Sequence, residues 1–208
     1  MRIYKLLELD MKIGLISDTH TPGDGQGVPE SVHKVFDGVD LILHAGNIFV
    51  SSILDELETI APVKAAGSKD RDKLCLDGSH SWKPAGCWCA DDRVEEIQVI
   101  EAEGLTIGLI HELVVPGYSD RIYPGSLTRG FNYDESQPLI PDETFGKRVD
   151  IIVFGHTCTA LHEEYGSTVL INPGSPTLRN ELRRVGTVAT LEIVDQKQTV
   201  EIIDLAAL

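Results

Sequence analysis

Short apolar runs recur along the first third of the chain, and each ends on glycine and polar residues. Residues 11–17 (MKIGLIS) lead into Asp18-Thr19-His20. Residues 40–44 (DLILH) lead into Ala45-Gly46-Asn47, and residues 62–66 (PVKAA) into Gly67-Ser68-Lys69-Asp70. A short unbroken apolar run bounded by turn residues is the pattern of a strand buried on both faces. Between the runs the spacing becomes helical. Residues 29–37 place Val32, Val35 and Phe36 on one face; residues 51–60 place Ile53, Leu54, Leu57 and Ile60 on one face, with Ser51 as the expected N-cap. The order βαβαβ predicts parallel pairing through right-handed crossovers.

The later pattern differs. Residues 94–101 and 105–111 are two runs joined by Ala102-Glu103-Gly104, a hairpin signal. Residues 112–141 are irregular and rich in Gly, Pro, Tyr and Ser, a length that predicts a functional loop: a substrate lid or a subunit contact. Its Tyr118, Arg121, Tyr123 and Arg129 are available to a ligand or a partner. Residues 142–148 predict a short helix. Residues 150–154 (DIIVF) predict a strand leading into Gly155-His156-Thr157-Cys158, and residues 168–172 a strand leading into Pro173-Gly174-Ser175. Residues 186–194 and 198–204 predict a closing hairpin around Asp195-Gln196-Lys197. Residues 75–92, with both tryptophans and three of the cysteines, read as a loop or lid. No repeat interrupts this order, so residues 1–208 are expected to form a single domain with an N-terminal extension over 1–10.

Composition narrows the function classes. Thirty-three acidic residues against 18 basic ones give a net charge of −15. Such a surface repels phosphate backbones and anionic lipid, which argues against non-specific nucleic-acid binding and membrane binding. An anionic substrate then needs a bound cation to reverse the sign locally. No apolar stretch approaches membrane-helix length, and acids interrupt the first ten residues, so the expected compartment is the cytoplasm. The four cysteines, Cys75, Cys87, Cys89 and Cys158, have no disulfide-framework or zinc-knuckle spacing and are expected to be reduced thiols.

The candidate chemistry lies at strand ends, where ligands gather in α/β sheets. Asp18, His20, Asn47, Ser68, Asp70, His111, His156 and Cys158 all fall there. Their nitrogen, oxygen and sulfur donors suit a transition metal. His33, His44, His80 and His162 lie outside these clusters and read as structural.

The ordered set D-T-H, A-G-N, G-S-K-D, I-H, G-H-T-C and N-P-G-S resembles the calcineurin-like metallophosphoesterases, most closely their small single-domain bacterial and archaeal branch. The resemblance covers residues 12–194. It implies an α/β fold, a metallophosphatase-like two-sheet β-sandwich flanked by α-helices, with a two-metal site at the strand ends. It places Asp18 and His20 on a first metal and Asn47 at the bridge between two metals. Ser68 falls where the second metal has an asparagine ligand. His111 and His156 belong to that second metal, and Cys158 to the first.

Three of these positions depart from the family pattern. Asn47 replaces a bridging aspartate, and an amide offers one weak neutral acceptor where a carboxylate offers two oxygens and a charge. Ser68 supplies only a hydroxyl. Cys158 replaces an imidazole with a potential thiolate, which restores a negative charge and favours zinc or iron, with manganese also accommodated. The expected cofactor is a divalent transition metal, one position well held and the second weak.

The resemblance implies a metal-dependent phosphoesterase that hydrolyses a small phosphodiester or phosphomonoester by metal-activated water. The expected partner is a small phosphorylated molecule, and a homo-oligomer is compatible with the sequence. Lys69 occupies the position where some relatives carry a leaving-group acid, and is either that acid or an exposed structural lysine. Ser175 and Arg179 are candidate phosphate contacts, the arginine equally a surface residue. The alternative is a binding or scaffold protein on the same fold with a degenerate metal site. The eukaryotic retromer subunit of this fold resembles the chain in carrying asparagine at the bridge.

Overall fold

A computed structural model of the chain describes residues 10–20, 27–48, 50–67, 91–130, 138–177 and 186–208. Two sheets face each other. The first has six strands in the order β11-β10-β1-β2-β3-β4, and the second has five in the order β5-β6-β7-β9-β8. The first is built on β1 (Met11–Ile16), β2 (Leu41–His44), β3 (Val63–Ala66) and the two-residue β4 (Val94–Glu95), all parallel. β10 (Thr187–Val194) and β11 (Lys197–Asp204) extend it as an antiparallel hairpin. In the second sheet β6 (Leu105–Ile110), β7 (Ile151–Val153) and β9 (Thr168–Asn172) are parallel. β5 (Ile97–Ala102) and β8 (Leu161–Tyr165) are its antiparallel edges.

The unbroken apolar runs follow from this layering, because alternate residues of each central strand enter different cores. Ile13, Leu15, Leu41, Leu43, Ile151, Val153, Val169 and Ile171 meet between the sheets. Ile16 and Ile42 point outward onto α1 (Glu30–Val35) and α2 (Ser51–Glu58), where Val32, Ile53, Leu54 and Leu57 are buried. Ile152 and Leu170 face outward on the other side, under Leu113, Val115, Ile122, Leu127, Leu139 and Ile140. Each fully buried aliphatic side chain contributes about 1.5–3 kcal/mol.

Several expectations are corrected here. The run 94–101 is two strands, not one: β4 pairs with β3 in the first sheet and β5 with β6 in the second, so the chain changes sheets at Glu96. α2 starts one residue beyond Val50, which is its N-cap, and no side chain caps it; Ser51 is already helical. The helix over 142–148 shortens to α4 (Asp142–Phe145), because Gly146 turns left-handed (φ 72°) and ends it. β8 has polar central positions, His162-Glu163-Glu164, which conceal an edge strand from an apolar scan. The described part of 112–141 includes α3 (Ser126–Gly130) and packs as the outer cover of the second sheet.

Candidate metal centre

The parallel strands of both sheets end at the same edge, and the site forms there. β1 delivers Asp18 and His20, β2 delivers Asn47, β6 delivers His111, and β7 delivers His156 and Cys158. The Asp18 carboxylate is fully buried. Its Oδ2 accepts from Ser17 Oγ at 2.7 Å and from the His156 backbone N–H at 2.9 Å. Its Oδ1 accepts from Asn47 Nδ2 at 2.8 Å. Asp18 therefore ties β1, β2 and β7 together through polar contacts alone.

The imidazoles are set by carbonyl groups. His20 Nδ1 lies 2.8 Å from the Asp18 carbonyl oxygen, and His111 Nδ1 lies 2.7 Å from the Ala45 carbonyl oxygen. A carbonyl only accepts, so each Nδ1 carries the proton and each Nε2 keeps its lone pair for a ligand. Asn47 Nδ2 lies 3.2 Å from His20 Nε2, in keeping with that tautomer. His44, fully buried beside the site, is set the opposite way. Gly46 N–H donates to its Nδ1 at 3.1 Å, so Nε2–H points to Thr19 Oγ1 at 3.3 Å. Burial pushes its pKa down to about 3, so it stays a neutral structural residue.

Donor atoms of Asp18, His20 and Cys158 all lie within 4.8 Å of one another, which suits a single cation. The Cys158 thiol is pushed up to about 12, first by burial and then by the Asp18 charge. It therefore brings no negative charge of its own near neutral pH and needs a cation to become a thiolate. Beside this group stands His156. Its buried Nε2 has no hydrogen-bond partner, and its ring meets that of His111 edge-on, with centroids 5.4 Å apart. A buried imidazole nitrogen without a partner fits a ligand atom. The donor set thus fits the cation that the motif order implies.

Backbone geometry at these positions is unusual. Asp18, His20, Asn47, His156 and Cys158 have φ of 52°, 43°, 57°, 70° and 54°, all left-handed. L-residues adopt that region at a cost, and its concentration here marks a site over-determined by its surroundings. Two glycines make the approach feasible. A Cβ on Gly155 would lie 2.0 Å from Ser17 Oγ and 2.7 Å from Asp18 Oδ2, and one on Gly46 would lie 2.4 Å from His111 Nδ1.

Two residues of the N-P-G-S motif, Asn172 and Ser175, act as supports, a role the sequence reading did not assign to them. Asn172, fully buried at the end of β9, donates to the Gly155 carbonyl at 2.8 Å and to Thr157 Oγ1 at 3.1 Å, and accepts from Gly174 N–H at 2.9 Å. An asparagine closing the apolar run over residues 169–171 was the available signal. The Ser175 hydroxyl, 2% exposed, donates to the Asp18 carbonyl at 2.6 Å, and so holds the Asp18 turn in place. Arg121 sits near enough for its charge to act on His156 and Cys158. Arg129 instead bonds the Gly125 and Pro124 carbonyls of its own segment. Ser68, Lys69 and Arg179 lie outside the described residues, as do Cys75, Cys87 and Cys89.

A model of the calcineurin-like phosphoesterase superfamily domain matches residues 11–196. This chain belongs to that superfamily, whose members are metal-dependent and act on phosphate esters. It is 34% identical over 170 residues to a probable metallophosphoesterase of Methanothermobacter thermautotrophicus, covering 81% of this chain and 78% of the relative. A probable metallophosphoesterase of Methanocaldococcus jannaschii is 31% identical over 168 residues, covering 81% of this chain and 69% of the relative. Among solved structures, zinc-complexed Vps29 from Entamoeba histolytica has a TM-score of 0.55 at 21% identity, over 94% of this chain and 99% of that one. A structure described as a novel archaeal phosphodiesterase has a TM-score of 0.54 at 19% identity, over 93% of this chain and all of the other. These similarities establish a two-sheet metallophosphoesterase fold. No helix among the described residues is long and apolar enough to cross a membrane.

Proposed function

We propose that the protein is a metal-dependent phosphoesterase acting on a small phosphorylated molecule in the cytoplasm, a phosphodiester in preference to a monoester. The observation that carries this reading is the grouping of Asp18, His20 and Cys158 donor atoms within 4.8 Å, with the unpartnered Nε2 of His156 beside them. Asp18, His20 and Cys158 would hold a first divalent cation, zinc or iron by the softness of the sulfur, and His111 and His156 a second, weaker one. Bound there, such a cation lowers the pKa of water and draws charge from the phosphoryl oxygens. The chain's own contribution is orientation. Carbonyls fix the Nδ1 protons of His20 and His111, the His156 backbone N–H fixes Asp18, and Ser175 fixes the Asp18 turn. Arg121, near His156 and Cys158, would meet the phosphate. Lys69 and Arg179, outside the described residues, take such roles only by the family resemblance, as a leaving-group acid and a phosphate contact.

A scaffold reading has one observation in its favour: the Asn47 amide donates to Asp18 and His20, two of the donors a first cation would use. One experiment separates the readings. Protein purified without chelator is assayed for bound metal and for hydrolysis of a generic aryl phosphodiester, before and after chelation. Bound metal with chelator-sensitive turnover supports the enzyme. Absence of turnover across added zinc, manganese and iron supports the scaffold.

A further inference from the structure

Glu112 follows His111 directly at the end of β6, and its side chain reaches across to β7. Its Oε1 lies 3.5 Å from His156 Nε2, the buried nitrogen that has no hydrogen-bond partner. The contact is not a hydrogen bond. It does match another geometry. Two donor atoms each about 2.1 Å from one tetrahedral ion are about 3.4 Å apart. The 3.5 Å separation of a carboxylate oxygen and an imidazole nitrogen matches one edge of a cation site, and the His111 ring meets the His156 ring edge-on.

Charge leads to the same residue. With asparagine at position 47, the anionic donors grouped among the described residues are the Asp18 carboxylate and a Cys158 thiolate, both on the first cation's side. Among the described residues, His111 and His156 would offer the second cation neutral imidazoles. A carboxylate is the donor type it lacks, and hard or borderline divalent ions favour one strongly over an amide. The Glu112 side chain is 58% exposed and contributes nothing to the hydrophobic core. Its place at the cleft is therefore not explained by packing.

We infer that Glu112 is an anionic ligand of the second cation, completing a His111–Glu112–His156 site that replaces the charge lost at Asn47. The inference rests on the metal-centre reading above. On this view the pair of cations is charge-balanced from its two flanks, Asp18 with Cys158 on one and Glu112 on the other, and not from a shared bridge. The second site is then a separable unit, and can be emptied without disturbing the first.

The test is a cobalt titration of the full-length wild-type chain and of Glu112→Gln and His111→Ala. It is followed by optical absorption and by direct metal counting after gel filtration. A thiolate-to-cobalt charge-transfer band that disappears in Cys158→Ser reports the Cys158 side, apart from Cys75, Cys87 and Cys89. In the wild type the first equivalent should raise that band and a weaker second equivalent should bind without raising it. Glu112→Gln should leave the band and the first equivalent intact and weaken the second by roughly tenfold or more. His111→Ala should do the same. If the second equivalent binds Glu112→Gln as it binds wild type but is lost in His111→Ala, the second site exists without Glu112 and the inference is overturned. A wild type that binds one equivalent only also overturns it, while leaving the first site standing. If no equivalent produces the band, the metal-centre reading itself fails.

Discussion

Asn47 Nδ2 donates a 2.8 Å hydrogen bond to Asp18 Oδ1, the carboxylate oxygen that a first cation would otherwise claim. The amide reaches His20 Nε2 as well, at 3.2 Å. Its hydrogens thus satisfy two lone pairs in the absence of a cation, and they must give way when one binds. On the proposed metal-centre reading, loading would remove an interaction that stabilises the metal-free protein, and so would lower affinity at the first position.

Replacing that amide by a carboxylate should reverse both effects. In Asn47→Asp, two carboxylates approach where a hydrogen bond stood, so the metal-free protein should lose about 1–3 kcal/mol. Zinc should then raise its Tm by several degrees more than it raises that of wild type, at about 2–4 °C per kcal/mol for a domain of this size. Thermal scans with chelator and with saturating zinc measure this directly. Equal zinc-induced shifts in the two proteins would show that Asn47 does not oppose metal binding.

Cys158 should set the metal preference. Changing it to histidine, the residue usual at this position in the family, should lower the preference for zinc over manganese by roughly tenfold or more, because a borderline nitrogen replaces a soft sulfur. Competition between the two ions, read by metal analysis after gel filtration, gives the ratio. An unchanged ratio would place Cys158 outside the coordination sphere.

Gly155 should tolerate no side chain. A Cβ there would meet Ser17 Oγ at 2.0 Å, Asp18 Oδ2 at 2.7 Å and the Ala45 carbonyl at 2.8 Å, and the last of these is backbone. Gly155→Ala should cost about 1–3 kcal/mol and displace Asp18, with loss of the first bound zinc. Calorimetric zinc titration of a still-folded variant decides this; wild-type affinity would refute it.

His44 should make the fold acid-sensitive. Its pKa falls from 6.5 to about 3 on folding because burial disfavours the imidazolium. The unfolded chain therefore binds a proton that the folded chain refuses. The stability is fully present above about pH 6.5 and is lost progressively as the pH falls toward 3. Between pH 7.5 and 4.5 this residue alone should remove about 2–3 kcal/mol. Urea unfolding of the chelated protein at both values should show a fall smaller by that amount in His44→Gln, whatever that variant's stability at pH 7.5. Parallel losses in the two proteins would mean that His44 titrates normally.

The strands and their chemistry were legible because each central strand is buried on both faces and ends at one edge. Burial on both faces leaves an unbroken apolar run in the sequence, and a strand end leaves a glycine beside a polar residue. Asp18, His20, Asn47, His111, His156 and Cys158 could therefore be named in order before any coordinates. The local patterning also separated the β5–β6 and β10–β11 hairpins from the parallel part of the fold. The polar edge strand β8 and the switch between sheets at Glu96 left no such trace. An edge strand has one solvated face, and a sheet change alters partners without altering hydrophobicity.

What only the tertiary structure decided concerns distances between residues far apart in the chain. The resemblance to the family implies that Asn47 stands where relatives carry a carboxylate; packing decided that its amide turns to Asp18 and His20. The sequence showed a thiol at position 158; burial beside Asp18 decided that the thiol stays protonated without a cation. Ser175 carries a hydroxyl that suits a phosphate, yet its burial commits that hydroxyl to the Asp18 carbonyl. Glu112 lies in no motif, and its relation to His156 arises from the parallel pairing of β6 and β7, which sets two strand ends side by side. Hydrophobic patterning records which face of an element is dry. It carries no record of which two strand ends will meet, since that is fixed by the pairing of strands across the whole chain.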